Sequence, residues 1–264
     1  MKIGFIGLGN MATAMIGGML KEQVAQAADI IGKAKTAETE NAVKSKFNIT
    51  IAESNAKLAA EVDILFLAVK PIFFPEVIEE IKDAVNRNTV IVSIAAGRTI
   101  EYLEDTFKPG AKIIRCMPNT PALVLEGCTG VSVGSMVTEA EVEQVMSLLN
   151  SFGKASVVPE RLMDVVVGVA GSAPAYVFMF IEAMADEAVA EGMPRKQAYE
   201  FAAQTVLGSA KMVLETGKHP GELKDMVCSP GGTTIQAVKV LEEMGLRAAV
   251  MDAMEACIDK SRNM

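Results

Sequence analysis

KIGFIGLGNMA, residues 2–12, decides the fold, because an apolar run leads directly into a glycine-rich turn and then a helical pattern. The stretch contains Gly7-x-Gly9-x-x-Ala12, a variant of the G-x-G-x-x-G/A dinucleotide fingerprint. The first glycine permits the tight turn, the second lets the backbone approach a pyrophosphate, and the small third residue lets helix pack on strand. An ordinary strand–helix turn is the alternative, and the position of the motif between strand and helix favours the fingerprint.

Short apolar runs alternate with helical patterns through residues 1–158, which is typical of βαβ units. We predict strands at residues 2–7, 29–32, 49–52, 63–69, 89–94, 112–117, 129–133 and 155–158. We predict helices at residues 10–21, 38–46, 75–85, 100–106 and 139–151. Near-continuous apolar strands indicate a parallel sheet covered on both faces. The prediction is an α/β chain with an N-terminal Rossmann-type, doubly wound, mostly parallel sheet.

The pattern changes after Pro159, where no further strand is indicated. Helices are predicted at residues 160–191, 194–216, 220–227, 232–244 and 246–260, separated by glycine and proline. The expected domains are therefore 1–158, which binds a dinucleotide, and 159–264, which is all-helical.

Composition excludes several classes of function. The net charge is −8 and no dense Lys/Arg run occurs, so nucleic-acid binding is not expected. The four cysteines are widely spaced and the chain has one histidine, which argues against a zinc site and against a disulfide framework. We expect no metal, and free thiols in a cytoplasmic protein.

Val165–Ile181 carries no charge and approaches the ~17-residue lower limit for a membrane-spanning helix. The segment contains two glycines and Pro174, and it continues into an acidic helical stretch. We therefore expect a core helix or a subunit-interface helix that is apolar on all sides, and no membrane.

The second strand would end near Lys33 and Lys35, where NAD sites usually carry an acid that binds the ribose hydroxyl. Two lysines favour a 2′-phosphate and hence NADPH; lysines on a solvated loop, and NADH as cofactor, stay alternatives. Ala68-Val69-Lys70-Pro71 ends the central strand and should line the cofactor, because ligands lie at the carboxyl ends of such strands. We expect Ala96 and Gly97 to approach the nicotinamide side.

Cys116-Met117-Pro118-Asn119-Thr120-Pro121 ends a later strand and should also approach the nicotinamide side. A turn after the strand accounts for the two prolines, but it accounts less well for Asn119 between them. We therefore count Asn119 among the candidate substrate-binding residues.

Ser229-Pro230-Gly231-Gly232-Thr233-Thr234 precedes an amphipathic helix. Two glycines and two threonine hydroxyls at a helix start can form an anion cradle, because free N–H groups and the helix dipole favour a carboxylate. A simple helix cap by Ser or Thr is the alternative, but a cap does not need two glycines. His219, the single histidine, is expected to be at the surface or to cap a helix.

Five motifs occur in order along the chain and together resemble the pyrroline-5-carboxylate reductase family: GLGNMA at 7–12, AVKP at 68–71, RCMPNTP at 115–121, GSAPAY at 171–176 and DMVCSPGGTTIQAV at 225–238. The resemblance covers essentially the whole chain. It implies a Rossmann domain followed by a helical dimerisation domain, and NAD(P)H-dependent reduction of 1-pyrroline-5-carboxylate to L-proline. It also implies a homodimer with the active site near the dimer interface, while a higher homo-oligomer stays open.

The resemblance also assigns residues. Those implied to bind the cofactor phosphates are Ile6, Gly7, Leu8, Gly9, Asn10 and Met11. Asn55 would contact the adenosine end, and Ala68–Pro71 would line the cofactor. The substrate carboxylate would be held by Ser229, Gly231, Gly232 and Thr233, and the Thr234 hydroxyl, the candidate catalytic group, would face the ring nitrogen.

Three other functions compete with this hypothesis. A β-hydroxyacid dehydrogenase would need a lysine on the helix after the domain boundary, and Leu162–Ala185 contains none. A reductase of a different cyclic imine on the same fold stays an alternative, because sequence motifs do not reveal which side groups the substrate carries. A non-catalytic, cofactor-sensing protein is the third, and the intact SPGGTT segment argues against it.

Overall fold

The structure is a computed structural model that describes residues 1–263. Contacts between residues divide the chain into two compact units. The first comprises Met1–Ser172 together with residues from Cys257 onward, and the second comprises Ala173–Ala256. The last strand ends at Val157, close to the predicted domain boundary, whereas the contact-based division falls at Ser172 because a helical segment packs on the sheet.

The first unit contains one sheet of eight strands in the order β3-β2-β1-β4-β5-β6-β7-β8. The strands are β1 Ile3–Ile6, β2 Ile30–Lys33, β3 Thr50–Ile51, β4 Ile64–Leu67, β5 Val90–Ser93, β6 Lys112–Met117, β7 Gly127–Val133 and β8 Gly153–Val157. Neighbouring strands pair in parallel except β6 and β7, which are antiparallel. The predicted doubly wound, mostly parallel sheet is confirmed.

Helices cover the sheet on both faces: α1 Asn10–Lys21, α2 Ala37–Phe47, α3 Asn55–Glu61, α4 Phe74–Ile81, α5 Ile100–Thr106 and α6 Glu139–Asn150. Alternate strand residues point to opposite faces, so Phe5 of β1 and Phe66 of β4 stack in one apolar cluster, with ring centroids 4.7 Å apart. Ile6 and Leu67 enter the other cluster. Burial on both faces explains the unbroken apolar strands.

Helix α3 was not among the predicted helices. The Ser54 side chain accepts a hydrogen bond from the Lys57 N–H and so caps the helix, while Leu58 and Ala59 bury its inner face. The two buried residues of α3 are adjacent in sequence, so no buried pair at i, i+3 or i+4 spacing marks this short helix.

The predicted continuous helix over 160–191 is wrong, because the structure breaks it. A short 3₁₀ turn at Glu160–Leu162 leads into α7 Met163–Val166, and a π-helical segment at Val167–Gly171 follows. Helix α8 Ala173–Ala190 begins only after Ser172. Pro174 has no N–H and cannot continue a regular α-helical ladder, which accounts for the break.

The second unit is helical: α8, α9 Arg195–Thr216, α10 Pro220–Val227, α11 Thr233–Glu243 and the first part of α12 Leu246–Arg262. Helices α8 and α9 pack together through small residues, with Ala185, Ala198 and Ala202 buried. Large apolar side chains stay exposed on this unit, among them Phe178, Met179, Leu214 and Met244. A core position for the 165–181 segment, one of the two predicted alternatives, is therefore wrong for α8.

By length and composition alone, Glu160–Ala190 is the one stretch of residues 1–263 that is long and apolar enough to cross a membrane, with a mean hydropathy of 1.7. It is not one uninterrupted helix, because the 3₁₀ and π-helical segments fall within it. Its α8 part carries Glu182, Asp186 and Glu187.

Glu141→Gln is expected to lower the free energy of unfolding at neutral pH by about 1–3 kcal/mol, the range for hydrogen bonds to a charged group. Burial raises the pKa of the Glu141 carboxyl, but hydrogen bonds from Lys112 and Thr138 outweigh burial, so the net pKa lies below its usual value. A carboxyl with a lowered pKa stabilises the fold above its unfolded-state pKa of about 4.3 and loses that stabilisation as the pH falls through the folded-state value.

Urea unfolding of the wild type and of Glu141→Gln, repeated at pH values from about 2 to about 8, measures this difference in unfolding free energy. The two unfolding free energies should converge in acid. A difference that is constant across the pH range would contradict the assignment, because it would show that the carboxylate charge is not involved.

Candidate active site

The cleft lies where the order of the strands reverses. Strand β1 pairs with β2 on one side and with β4 on the other. The strands that come before β4 in the chain therefore extend the sheet in one direction, and those from β4 onward extend it in the opposite direction. In open α/β sheets the crevice outside the carboxyl ends of such strands is the ligand site. Gly7 follows β1 and Ala68 follows β4, so the two predicted cofactor segments face each other across this crevice.

Gly7 and Gly9 have different structural roles in the turn. Gly7 has φ +97°, and a Cβ there would lie 2.5 Å from the Ala68 carbonyl oxygen, so this residue keeps the turn closed against β4. A Cβ on Gly9 would meet nothing within 4 Å and would project into open space. Gly9 is also the N-cap of α1, where no side chain caps the helix. The free N–H groups at the start of α1 fit the phosphates of a dinucleotide.

A cleft of about 380 Å³ surrounds this turn. It brings together ten of the predicted cofactor residues: Ile6, Gly7, Leu8, Gly9, Lys33, Lys35, Asn55, Ala68, Val69 and Lys70. Five others do not line it: Asn10 and Met11 lie in the first turn of α1, Pro71 begins the 3₁₀ turn after Lys70, and Ala96 and Gly97 follow β5.

Lys33 and Lys35 differ in their surroundings. Lys33 Nζ lies 2.8 Å from Glu40 Oε1, and both side chains are largely buried, at 24% and 14% exposure. Burial raises the pKa of the Glu40 carboxyl, but hydrogen bonds from Lys33 and from the Ala34 N–H lower it below its usual value. Lys35 Nζ instead lies 4.7 Å from the centroid of the Phe73 ring and has no carboxylate partner among residues 1–263. Of these two lysines, Lys35 is therefore the one that offers an uncompensated positive charge to the cleft, in addition to Lys70, which also lines it.

Other lining residues were missed by the sequence analysis: Ala34, Thr36, Thr39, Phe73, Glu76, Val77 and Glu80. Thr36 caps α2 by accepting a hydrogen bond from the Thr39 N–H, and the two hydroxyls are 3.0 Å apart. The Thr-x-x-Thr spacing after the second strand could have revealed this cap. Glu80 accepts a 2.6 Å hydrogen bond from Asn55 Nδ2, a contact between α4 and α3 that no sequence pattern indicates.

Asn119 is placed inside the first unit. The residue is 7% exposed, its Nδ2 donates to the Ala170 carbonyl at 3.0 Å, and its Oδ1 accepts from the Cys128 N–H at 2.8 Å. These hydrogen bonds join three segments of the protein. The predicted contact of Asn119 with substrate stays a prediction.

The second unit presents the predicted substrate residues at the start of α11. Gly231 has φ +70°, a left-handed conformation that favours glycine, and a Cβ on Gly232 would collide with Ser229 Oγ. Gly232 is the N-cap of α11, and no side chain caps this helix. Thr233 and Thr234 are its first two residues, and Thr234 is half-buried. The alternative of a simple Ser or Thr cap is therefore wrong.

The surroundings of the histidine and of the four cysteines indicate structural roles. His219 Nδ1 accepts a hydrogen bond from the Gly221 N–H at 3.1 Å, so it caps α10, as one of the two expectations had it. All four cysteines are unpaired thiols, and burial raises the pKa of the Cys116 thiol. Within residues 1–263, no group of three or more His, Cys, Asp or Glu side chains is placed to hold a metal ion.

Residues 160–264 match the sequence family described as pyrroline-5-carboxylate reductase dimerisation, and residues 2–97 match the family described as NADP oxidoreductase, coenzyme F420-dependent. The pyrroline-5-carboxylate reductase of Escherichia coli K12 is 52% identical over 263 residues, which cover 100% of this chain and 98% of that protein.

Two solved structures are similar over nearly the whole chain. The pyrroline-5-carboxylate reductase of Coxiella burnetii superimposes with a TM-score of 0.93 at 32% identity, covering 99% of this chain and 97% of the other. The Plasmodium falciparum pyrroline carboxylate reductase, solved with NADP bound, gives a TM-score of 0.88 at 32% identity with the same coverage. The fingerprint turn, the helical second half and these similarities over the full length lead to one conclusion: the chain belongs to the pyrroline-5-carboxylate reductase family.

Proposed function

We propose that the protein reduces 1-pyrroline-5-carboxylate to L-proline, with NADPH as the reductant. The observation that carries this proposal is the pair of uncapped helix starts, at Gly9 in the first unit and at Gly232 in the second. Each offers free N–H groups to an anion, the first to a dinucleotide pyrophosphate and the second to a carboxylate. The names of the full-length relatives supply the substrate class.

The cofactor, when bound, supplies a hydride to the imine carbon. Ile6–Met11 would hold its phosphates, Asn55 would contact its adenosine end, Ala68–Pro71 would line it, and Ala96 with Gly97 would approach its nicotinamide end. The open space at Gly9 and the uncapped start of α1 fit this group. The protein residues then bind and orient, which contributes most when little acid catalysis is needed.

The substrate carboxylate is held by Ser229, Gly231, Gly232 and Thr233. The Thr234 hydroxyl makes no hydrogen bond to another residue among 1–263, so it is free to orient the ring nitrogen or to relay a proton from water. The high pKa of an aliphatic hydroxyl makes it a weak acid. The substrate would therefore bind as the iminium form, whose nitrogen is already protonated, and Thr234 would serve mainly to position it.

A homodimer is part of the proposal, with a second copy of this chain covering the apolar surface of the second unit. Leu214 and Met244 are 80% and 79% exposed in the single chain, and a cluster of such side chains is typical of an interface. The sequence family that covers 160–264 is described as a dimerisation family. We take 1–158 and 159–264 as the functional division, and the unpaired thiols are consistent with a cytoplasmic protein.

The testing experiment is steady-state oxidation of NADPH, and then of NADH, by purified protein with 1-pyrroline-5-carboxylate, followed by chiral analysis of the product. Turnover that yields L-proline supports the proposal. Bound NADPH without turnover on this substrate would overturn it. Turnover on other cyclic imines would then point to a different imine reductase, and no turnover on any imine to a cofactor-sensing protein.

Lys35→Ala is expected to weaken NADPH binding about tenfold while NADH binding is unchanged, because it removes a charge-assisted contact with the 2′-phosphate, of the order of 1–2 kcal/mol. Lys33→Ala is the matched control. Since Glu40 already neutralises Lys33, this change should cost stability and alter the NADPH/NADH ratio little. Fluorescence titration with both cofactors measures the two variants. A larger loss of NADPH selectivity in Lys33→Ala would contradict the assignment to Lys35.

A further inference from the structure

Asn119 connects its own loop to two other segments, one nine residues and the other 51 residues further along the chain. It follows β6, at the carboxyl end of the sheet, and its two side-chain hydrogen bonds reach β7 at the Cys128 N–H and the π-helical segment at the Ala170 carbonyl. Because Asn119 is buried, both hydrogen bonds matter for stability: a buried polar group left without a partner costs more free energy than the hydrogen bond itself contributes.

The Ala170 carbonyl needs this donor for a reason that the sequence explains. In an α-helix it would accept a hydrogen bond from the N–H four residues later, but that residue is Pro174, which has no N–H. Asn119 Nδ2 donates to this carbonyl at 3.0 Å. The side chain thus takes the place of the α-helical donor that Pro174 lacks.

The residues on either side of the segment are fixed to the rest of the first unit by further contacts. A Cβ on Gly130 of β7 would lie 2.8 Å from Val166, so the last residue of α7, directly before the segment, packs on the strand. Ser261 Oγ donates to Asp164 Oδ1 at 2.6 Å, and Cys257 Sγ donates to Ser172 Oγ at 3.1 Å. Asn119 connects the segment by a hydrogen bond to the loop that ends β6, the loop expected near the nicotinamide.

We propose that Asn119 is a positioning residue for the reaction, which sets the β6 loop and the π-helical segment in one fixed arrangement by donating to the Ala170 carbonyl. The inference rests on the proposed function, since it assumes that the first unit holds the hydride donor and the second holds the substrate. The chain enters α8, the first helix of the second unit, directly from this segment. A small error in positioning two reactants lowers the rate of reaction without preventing either from binding.

Asn119→Asp removes the Nδ2 donor and keeps an acceptor for the Cys128 N–H. The expected result is a kcat lowered about tenfold or more, with the KM for NADPH unchanged. Hydrogen exchange should be faster at the amides of residues 167–172 and unchanged at Cys128. If Asn119→Asp fails to fold, Asn119→Ser removes the same donor without adding a charge.

Pro174→Ala provides the matched background, because it restores a backbone N–H four residues after Ala170. In this background the loss of kcat on Asn119→Asp should be much smaller than in the wild type. An equal loss in both backgrounds, or an unchanged kcat in Asn119→Asp, would overturn the proposal. If the wild type shows no turnover, the proposed function fails, and the exchange rates at 167–172 in the four proteins still decide whether Asn119 holds the segment.

Discussion

Gly9→Val is expected to abolish NADPH binding, and all turnover with it, while the protein stays folded. Gly9 has φ −73° and ψ −171°, a conformation that valine adopts without strain, and a Cβ there would meet no atom within 4 Å. The branched side chain would instead stand over the uncapped N–H groups of α1. Phosphate oxygens could not then approach these donors, and the site offers the pyrophosphate no equivalent replacement.

The stability cost of this variant should be small. Valine is a poorer N-cap than glycine, which weakens α1 by about 1 kcal/mol, well within the usual stability of a domain. NADPH titration by fluorescence should show no binding, and circular dichroism should show a folded protein with a slightly lower Tm. Measurable NADPH affinity in Gly9→Val would mean that the pyrophosphate does not lie over the start of α1.

Gly7→Ala is the instructive contrast, since only one residue lies between the two glycines. At φ +97° a Cβ is strained, and it would lie 2.5 Å from the Ala68 carbonyl oxygen. We expect the fold itself to lose about 1–3 kcal/mol from strain alone, with more from the collision. The two glycines of one motif thus separate a structural effect from a cofactor effect.

The sequence predicted those parts of the fold that are encoded locally. The bounds of α1, α5 and α10 coincide with the prediction, because each carries a periodic apolar face and clear end signals. Every predicted strand is present with shifts of at most two residues at its ends, since both faces of the sheet are buried and the strands are apolar runs in the sequence. Ten predicted cofactor residues meet in one cleft for the same reason: they follow neighbouring parallel strands.

What the sequence did not reveal depends on contacts between distant residues. Lys33 and Lys35 look equivalent in the sequence, yet only the fold brings Glu40 against Lys33. The sequence did not indicate that Asn119 donates to a carbonyl 51 positions away, and its expected contact with substrate stays a prediction. The break before α8 was missed because the charge-free run hides the effect of Pro174 on the backbone ladder.

Thr234→Ala is expected to lower kcat about a hundredfold, within the range for loss of one hydrogen-bond donor to a reacting group, while NADPH affinity is kept. The hydroxyl is at the second residue of α11, is half-buried and has no partner among the described residues. Its removal leaves the N–H groups of the helix start intact, so the substrate carboxylate should still bind. The KM for 1-pyrroline-5-carboxylate should therefore change less than kcat.

Two matched variants decide whether the hydroxyl itself is responsible. Thr234→Ser keeps the hydroxyl and should retain most of the activity, whereas Thr233→Ala removes the neighbouring hydroxyl and should raise the KM for substrate more than it lowers kcat. Steady-state kinetics with both substrates varied, together with NADPH titration, separates these outcomes. Loss of NADPH binding in Thr234→Ala would contradict the division of work between the two units, because that division assigns the cofactor to Gly7–Met11 and the substrate to the start of α11. Equal activity of Thr234→Ala and the wild type would leave binding of the iminium form as sufficient, with the orientation of the ring nitrogen set by the carboxylate cradle alone.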